Sequence, residues 1–138
     1  EEAMQSSERV LKPETSAALL KLMRMNVVKG TGKKADAEGY RVGGKTGTAE
    51  KVVGGRYSSS ALLNSFLSVF PADDPQYVVL VMLDEPQRVA VTKGYATAGW
   101  NATPTVGKIV ARIGPILGVP PKLEDTASRF DAKVSASY

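Results

Sequence analysis

Apolar residues along this chain change their spacing from helical to strand-like and back again. After Pro13-Glu14, Leu19, Leu20, Met23 and Val27 recur at helical intervals, and Leu22 and Met25 widen the stripe. Proline suits the first helical position and Glu14 favours the positive end of the dipole, so a helix opens there. Lys21, Arg24 and Lys29 sit toward the negative end and are expected to form a solvated basic face. Gly30-Thr31-Gly32 should stop the helix.

From Tyr40 the pattern becomes that of three antiparallel strands. The first is expected over about Tyr40 to Val53, with Gly54-Gly55 as the turn and Arg56 to Ser60 as a polar connection. The second, Leu62 to Phe70, is expected to alternate apolar and polar through Asn64, Phe66 and Ser68. It ends at Pro71, and Ala72-Asp73-Asp74-Pro75 makes the next turn. The third, Tyr77 to Leu83, is apolar without a break. That composition predicts burial on both faces and a place in the middle of a sheet. After a loop over 87–99, Thr103-Pro104 supplies an N-cap and a first-turn proline for a second helix. Val106, Ile109, Val110, Ile113 and Leu117 form its stripe, and Gly114-Pro115 should bend or end it.

The fold class that follows is α+β, an antiparallel sheet of three strands flanked by two main helices. Residues 1–121 are expected to belong to one folded unit and 122–138 to a flexible tail poor in large apolar side chains. Glu1 to Lys12 is a weakly determined lead-in in which Val10-Leu11 is expected to pack.

Composition narrows the chemistry. The 138 residues are 43% hydrophobic and 23% charged, an ordinary globular balance. The longest apolar run, Tyr77 to Leu83, is far short of a membrane span. Glu1-Glu2-Ala3 is not the start of a signal peptide, so the polypeptide is expected to begin downstream of any targeting segment. Cysteine and histidine are both absent. Thiol nucleophiles, disulfides, zinc clusters and Ser-His-Asp triads are therefore excluded within this chain, and no cofactor is expected. The net charge of +4 is spread over scattered lysines without an aromatic strand platform, which argues against nucleic-acid binding. An acidic small substrate is compatible with it.

Three further features have plain structural readings. Asp84-Glu85 sits at a strand end before Pro86, with its two side chains expected on opposite faces, so it is a solvated pair rather than a catalytic one. Trp100 could be a ligand platform but is better read as the anchor of a helix start. Asn101-Ala102-Thr103 has the letters of a glycosylation acceptor, but a proline follows it.

The chemistry concentrates in Val42-Gly43-Gly44-Lys45-Thr46-Gly47-Thr48-Ala49-Glu50-Lys51. Glycine is depleted in strands, and where it occurs another backbone or a ligand often approaches closely. A strand carrying Lys-Thr-Gly-Thr thus suggests an open edge that offers a cation, hydroxyls and free N–H groups to an anion. Gly39 to Thr46 also fits the phosphate-binding pattern G-x-x-x-x-G-K-[ST] letter for letter. That pattern needs a buried strand before it and a helix opening at the Lys-Thr. Lys33-Lys34-Ala35-Asp36-Ala37-Glu38 and Val52-Val53-Gly54-Gly55 provide neither.

The flanks support a different motif, the Lys-Thr-Gly element of penicillin-recognising enzymes. Gly39-Tyr40-Arg41-Val42 precedes it, Ala49 and the Gly54-Gly55-Arg56-Tyr57 turn follow, and then comes Phe66-Leu67-Ser68-Val69-Phe70-Pro71-Ala72. The whole run, from about Leu11 to about Pro120, resembles the C-terminal part of the transpeptidase domain of class B penicillin-binding proteins. It most closely resembles that of the division-specific, septal peptidoglycan transpeptidase. Gly30-Thr31-Gly32-Lys33 matches the turn that ends the equivalent helix in that family.

The resemblance implies the C-terminal portion of a penicillin-binding-protein/β-lactamase-like fold and a serine D,D-transpeptidase that cross-links D-Ala-D-Ala stem peptides and is acylated by β-lactams. It implies that Thr46, with Thr48 alongside, holds the terminal carboxylate, and that Lys45 adds positive potential and supports proton transfer at a serine of an S-x-N element. Gly47 would keep the wall flat for an added peptide strand, and the Thr48 N–H would be one oxyanion donor. The partners implied are the N-terminal half of the same domain and a division machinery that includes a glycan polymerase, at the periplasmic face of the bacterial inner membrane. No serine here has lysine three residues on, and no S-x-N tripeptide occurs, so the chain is expected to lack the nucleophile half and to be inactive alone. A non-catalytic sensor of the same fold, an elongation-type transpeptidase and a class D-like β-lactamase are the alternatives, which the upstream S-x-x-K and S-x-N elements would discriminate.

Overall fold

Helices and strands form where the periodicity places them, with differences at their ends. The computed structural model describes residues 8–122. Helix α1 spans Pro13–Lys29, strands β1, β2 and β3 span Gly43–Val53, Arg56–Phe70 and Tyr77–Asp84, and helix α2 spans Ala102–Ile116. The strands form one antiparallel sheet in the order β1-β2-β3. α1 packs along β1, and α2 packs across β2 and β3.

The register explains the core. Asn64, Phe66, Ser68 and Phe70 of β2 stand opposite Leu83, Val81, Val79 and Tyr77 of β3, so all share one face. These four β2 residues are fully buried, and with Val42, Val106 and Val110 they meet beneath the helices. Burying a phenylalanine side chain contributes about 1.5–3 kcal/mol, so Phe66 and Phe70 carry much of this layer. Phe70 stacks on Tyr77 at 5.6 Å and meets Tyr40 edge-on at 6.5 Å. The apolar/polar alternation expected of β2 is therefore absent. Asn64 and Ser68 lie on the buried face with the aromatics, each hydrogen-bonded: Ser68 Oγ donates to the Val79 carbonyl at 2.9 Å.

Glycines on α2 and β1 allow backbones to approach. A Cβ at Gly114 would fall 2.3 Å from the Tyr40 ring, and one at Gly107 would fall 2.9 Å from the Lys34 carbonyl oxygen. A Cβ at Gly44 would fall 2.5 Å from the Phe66 ring. The Gly54-Gly55 turn forms as expected, with φ of 59° and 80°.

Several expectations need correction. β3 is an edge strand of this sheet rather than a central one, and its burial alternates: Val78, Leu80 and Met82 are 66%, 53% and 55% exposed. An unbroken apolar run thus has one covered face and one open face here. Arg56 to Ser60 is no connection but the first part of β2, which continues past a register shift between Glu50 and Lys51. β1 starts at Gly43 rather than Tyr40, because Arg41 has φ 47° and its carbonyl bonds to Ala72 N at 2.8 Å.

The N-cap of α2 is Asn101, whose side chain accepts the Ala102 N–H at 2.7 Å; Thr103 lies inside the helix and is buried. Pro115 falls in the last turn, where the helix ends as predicted, but Leu117 lies beyond the helix and is exposed. On α1, Val27 is buried and Leu20 and Met23 are half-buried, whereas Leu19, Leu22 and Met25 are exposed. Arg24 is not solvated with the other basic residues, since it reaches Asp36 at 2.7 Å and the Val42 carbonyl at 2.9 Å. Val10 and Leu11 are exposed rather than packed. The expected tail over 122–138 lies outside the described residues except for Lys122, which is anchored: its N–H bonds to the Gly39 carbonyl at 2.8 Å.

Candidate active site

β1 is the other edge of the sheet, so among the described residues one side of its backbone is free of a strand partner. Helix α1 uses part of that side. Arg24 donates to the Val42 carbonyl at 2.9 Å, and Asn26 Nδ2 donates to the Gly44 carbonyl at 2.8 Å. In an antiparallel strand the N–H and C=O of one residue point the same way and reverse at the next. Residues 42 and 44 therefore direct their polar groups outward, and Thr46 and Thr48 follow by the period of two. In line with this, the Lys45 ammonium donates to the Thr46 carbonyl at 2.8 Å. This segment is a strand and not a helix N-terminus, so the phosphate-loop pattern over Gly39 to Thr46 is a coincidence of letters.

Alternation also divides the side chains. Thr46 and Thr48 stand opposite Phe66 and Asn64, on the face that carries the core. Lys45 and Gly47 stand opposite Leu67 and Ser65, on the open face beside Leu80 and Met82. A Cβ at Gly47 would fall 2.5 Å from Ser65 Oγ, so glycine keeps this part of the wall flat.

The threonines are held from two directions. Thr46 Oγ1 lies 3.0 Å from Thr31 Oγ1 in the Gly30-Thr31-Gly32 turn. Thr48 Oγ1 accepts the backbone N–H of Ala98 at 3.1 Å. Ala98 begins a short 3-10 turn, Ala98–Trp100, that leads into α2. That loop is fastened from below by Asn64, whose amide donates to the Ala96 carbonyl and, at 3.0 Å, to Asn101 Oδ1. Asn101 Nδ2 adds a bond to the same Ala96 carbonyl at 3.0 Å. The buried Asn64 Oδ1 has no partner among the described residues.

Between these supports lies a groove of about 370 Å³, lined by Thr31, Thr46, Thr48, Thr97, Lys33, Lys34 and Trp100 with two glycines. None of its lining residues is acidic. Lys34 Nζ sits 3.1 Å above the Trp100 ring, and Tyr95 stacks on the same indole at 5.0 Å. Hydroxyls, outward N–H groups and lysines offer hydrogen-bond donors and positive charge of the kind that suits an anion with an extended backbone. Among the described residues no cluster of three His, Cys, Asp or Glu could hold a metal ion.

Lys45, Thr46, Gly47 and Thr48 are thus brought to one sheet edge, and the two threonines to one groove. Trp100 adjoins the α2 cap and also lines that groove. Asp84 and Glu85 stay outside it but do not diverge. Glu85 has φ 46°, which turns its side chain back, and both carboxylates bind the Lys51 ammonium, at 2.8 and 2.7 Å. Hydrogen bonds to these carboxylates raise the Lys51 pKa above its ordinary value. Asn26, Asn64, Ala98 and Asn101 were not foreseen as site residues. Asn64 had one signal, a polar residue two positions before a phenylalanine in a strand with a buried face.

A family model described as the penicillin-binding-protein transpeptidase domain matches residues 1–111. The chain is 47% identical over 125 residues to the probable peptidoglycan D,D-transpeptidase FtsI of Caulobacter vibrioides, covering 84% of this chain and 21% of that protein. It is 40% identical over 126 residues to stage V sporulation protein D of Bacillus subtilis, covering 91% of this chain and 19% of that protein. Among solved structures it resembles the transpeptidase domain of Burkholderia pseudomallei penicillin-binding protein 3, with a TM-score of 0.73, 35% identity and coverage of 86% of this chain and 34% of that one. It also resembles penicillin-binding protein 3 of Mycobacterium tuberculosis complexed with ampicillin, with a TM-score of 0.69, 28% identity and coverage of 85% and 27%. The chain spans about a fifth of the length of the first two relatives. Fold, motif and matches agree that this chain belongs to the penicillin-binding-protein transpeptidase domain family, in its class B, division-type branch.

Proposed function

We propose that this chain forms the Lys-Thr-Gly wall of a serine D,D-transpeptidase that cross-links peptidoglycan stem peptides during bacterial division and is acylated by β-lactams. The observation that carries this reading is the free edge of β1, with Lys45 to Thr48 along it and an acid-free groove beside Thr46 and Thr48. A peptide ending in D-Ala-D-Ala has an extended backbone, a terminal carboxylate and a scissile carbonyl. It adds to the edge as a further strand, and the Thr46 hydroxyl, with Thr48 beside it, takes the carboxylate. The outward Thr48 N–H lies where a carbonyl oxygen on that strand gathers charge as a serine attacks. Lys45 supplies positive potential and supports the proton transfers that accompany loss of D-alanine and attack by an amine. A β-lactam carries a carboxylate and a reactive carbonyl in the same relation, and one relative of this fold was solved with ampicillin.

The serine nucleophile and the base come from outside this chain, since no S-x-x-K or S-x-N occurs in it. The remaining partners proposed are the rest of the domain and the division machinery, including a glycan polymerase. No helix of the described residues is long and apolar enough to cross a membrane. The proposed location is the periplasmic face of the inner membrane.

The test uses a fluorescent penicillin. The full-length parent should label covalently, and the 138-residue chain should not. In the parent, Thr46→Val should slow acylation about 10- to 100-fold, the worth of a hydrogen bond to a charged group, and Lys45→Ala should also slow it. A parent that binds penicillin without a covalent adduct would be a sensor, not an enzyme. Unchanged acylation by both variants would remove the motif from the mechanism.

A further inference from the structure

We propose that Asn26 and Thr31 form a hydroxyl relay that controls which way the Thr46 proton points, and so make the groove selective for a carboxylate. The inference rests on the carboxylate-binding role proposed above for Thr46.

The argument starts from Asn26, whose amide can take only one orientation. Its Nδ2 donates to the Gly44 carbonyl at 2.8 Å, and its Oδ1 accepts the Thr31 N–H at 3.2 Å. A carbonyl only accepts and a backbone N–H only donates, so the amide cannot be reversed. The turn closes tightly around it. A Cβ at Gly30 would fall 2.3 Å from Asn26 Oδ1, and one at Gly32 would fall 3.0 Å from Asn26 Nδ2. Neither glycine has positive φ, so both are there for space.

Direction then passes along the hydroxyls. Asn26 Oδ1 is purely an acceptor, so the Thr31 hydroxyl, 3.2 Å away, donates to it. A hydroxyl has one proton. In the 3.0 Å contact between Thr31 Oγ1 and Thr46 Oγ1, Thr31 must therefore accept and Thr46 must donate. In this resting arrangement Thr46 presents lone pairs to the groove, which a carboxylate cannot use.

An arriving carboxylate reverses the chain. Thr46 turns its proton to the anion, and Thr31 turns its own proton from Asn26 to Thr46 Oγ1. Asn26 Oδ1 keeps the Thr31 N–H, so no polar atom of the relay is left without a partner. Two hydroxyl rotations suffice, with no movement of heavy atoms. Donation by Thr31 polarises the Thr46 hydroxyl and strengthens its bond to the anion. A neutral ester at the same place draws little on that polarisation. Thr31 and Asn26 are thus positioning residues that act through Thr46.

The experiment uses the full-length protein and measures the second-order acylation constant for a penicillin and for its methyl ester. Thr31→Val should slow the acid about three- to tenfold, the range for one neutral hydrogen bond at an exposed residue, and should barely alter the ester. Thr31→Ser should restore the acid rate. With Thr46→Val already present, adding Thr31→Val should have no further effect. Equal losses for acid and ester, or additive losses in the double variant, would overturn the relay while leaving the carboxylate role of Thr46 intact. If Thr46→Val alone leaves the acid rate unchanged, that role fails and the relay fails with it.

Discussion

The Thr48 hydroxyl accepts the N–H of Ala98 at 3.1 Å, joining the motif strand to a loop fifty residues further along the chain. Ala98 is fully buried, so its N–H has little access to water. Thr48→Val should leave that donor unpaired and destabilise the domain by about 1–3 kcal/mol. Thr48→Ser should be nearly neutral. Urea denaturation of the domain decides this, and equal stability of both variants would show that the loop is held by other contacts.

Gly44 separates packing from chemistry within the motif. Its carbonyl is engaged by Asn26, and a methyl group at this position would meet the fully buried Phe66 ring at 2.5 Å. Gly44→Ala should therefore destabilise the fold by about 1–3 kcal/mol, the usual range for overpacking. The companion change Phe66→Leu in the same chain should recover part of that loss. Thermal unfolding of the single and double variants gives the comparison, and no recovery would assign the cost to the Leu67 carbonyl oxygen, 2.7 Å from the same methyl group.

Asp73 makes stability depend on pH at the acidic end. Burial pushes its carboxyl up, but its hydrogen bond to its own backbone, the Lys122 ammonium at 3.2 Å and the Arg41 and Lys122 charges together hold it below its ordinary value. A depressed carboxyl binds its proton less readily when folded than when unfolded. Its contribution is therefore complete above the unfolded pKa of about 4 and disappears as pH falls through the lower folded value. Asp73→Asn should remove this part of the acid dependence and cost about 1 kcal/mol or less at pH 7, because the pair is partly exposed. Parallel acid-unfolding curves for the two proteins would contradict the assignment.

Among the described residues β3 presents an unpaired edge and an open apolar face. Val78, Leu80 and Met82 are more than half exposed, and Leu67 of β2, 43% exposed, lies beside them. Such an edge is a template for another strand. The isolated chain should therefore associate at micromolar concentration, and Leu80→Lys with Met82→Lys should reduce this. Sedimentation equilibrium reads the outcome. A monomeric, cooperatively folded isolated chain without these substitutions would show that the exposed face is tolerated in water.

Much of the candidate site was legible because its signal is local. Lys45, Thr46, Gly47 and Thr48 are contiguous, and alternation alone puts the two threonines on one face. Asn26, Thr31, Ala98 and Asn64 were not legible as their supports. They come from α1, the turn after it, the loop before α2 and the neighbouring strand, and only the docking of these elements makes them neighbours. The cap of α2 was misplaced for a related reason. Thr103-Pro104 has the right local chemistry, but Asn101 is held in place by Asn64 on the buried face of β2 and takes the role.

By itself the sequence determined the two helices, the three strands, the Gly54-Gly55 turn and the motif on its strand. Each depends on side-chain spacing, backbone sterics or turn chemistry among near neighbours. Only the tertiary structure decided that β3 lies at an edge, that Asp84 and Glu85 converge on Lys51, and that Thr31 stands beside Thr46. Those outcomes depend on register and on the approach of segments distant in the chain. A one-residue slip of any strand would move every one of its side chains to the other face.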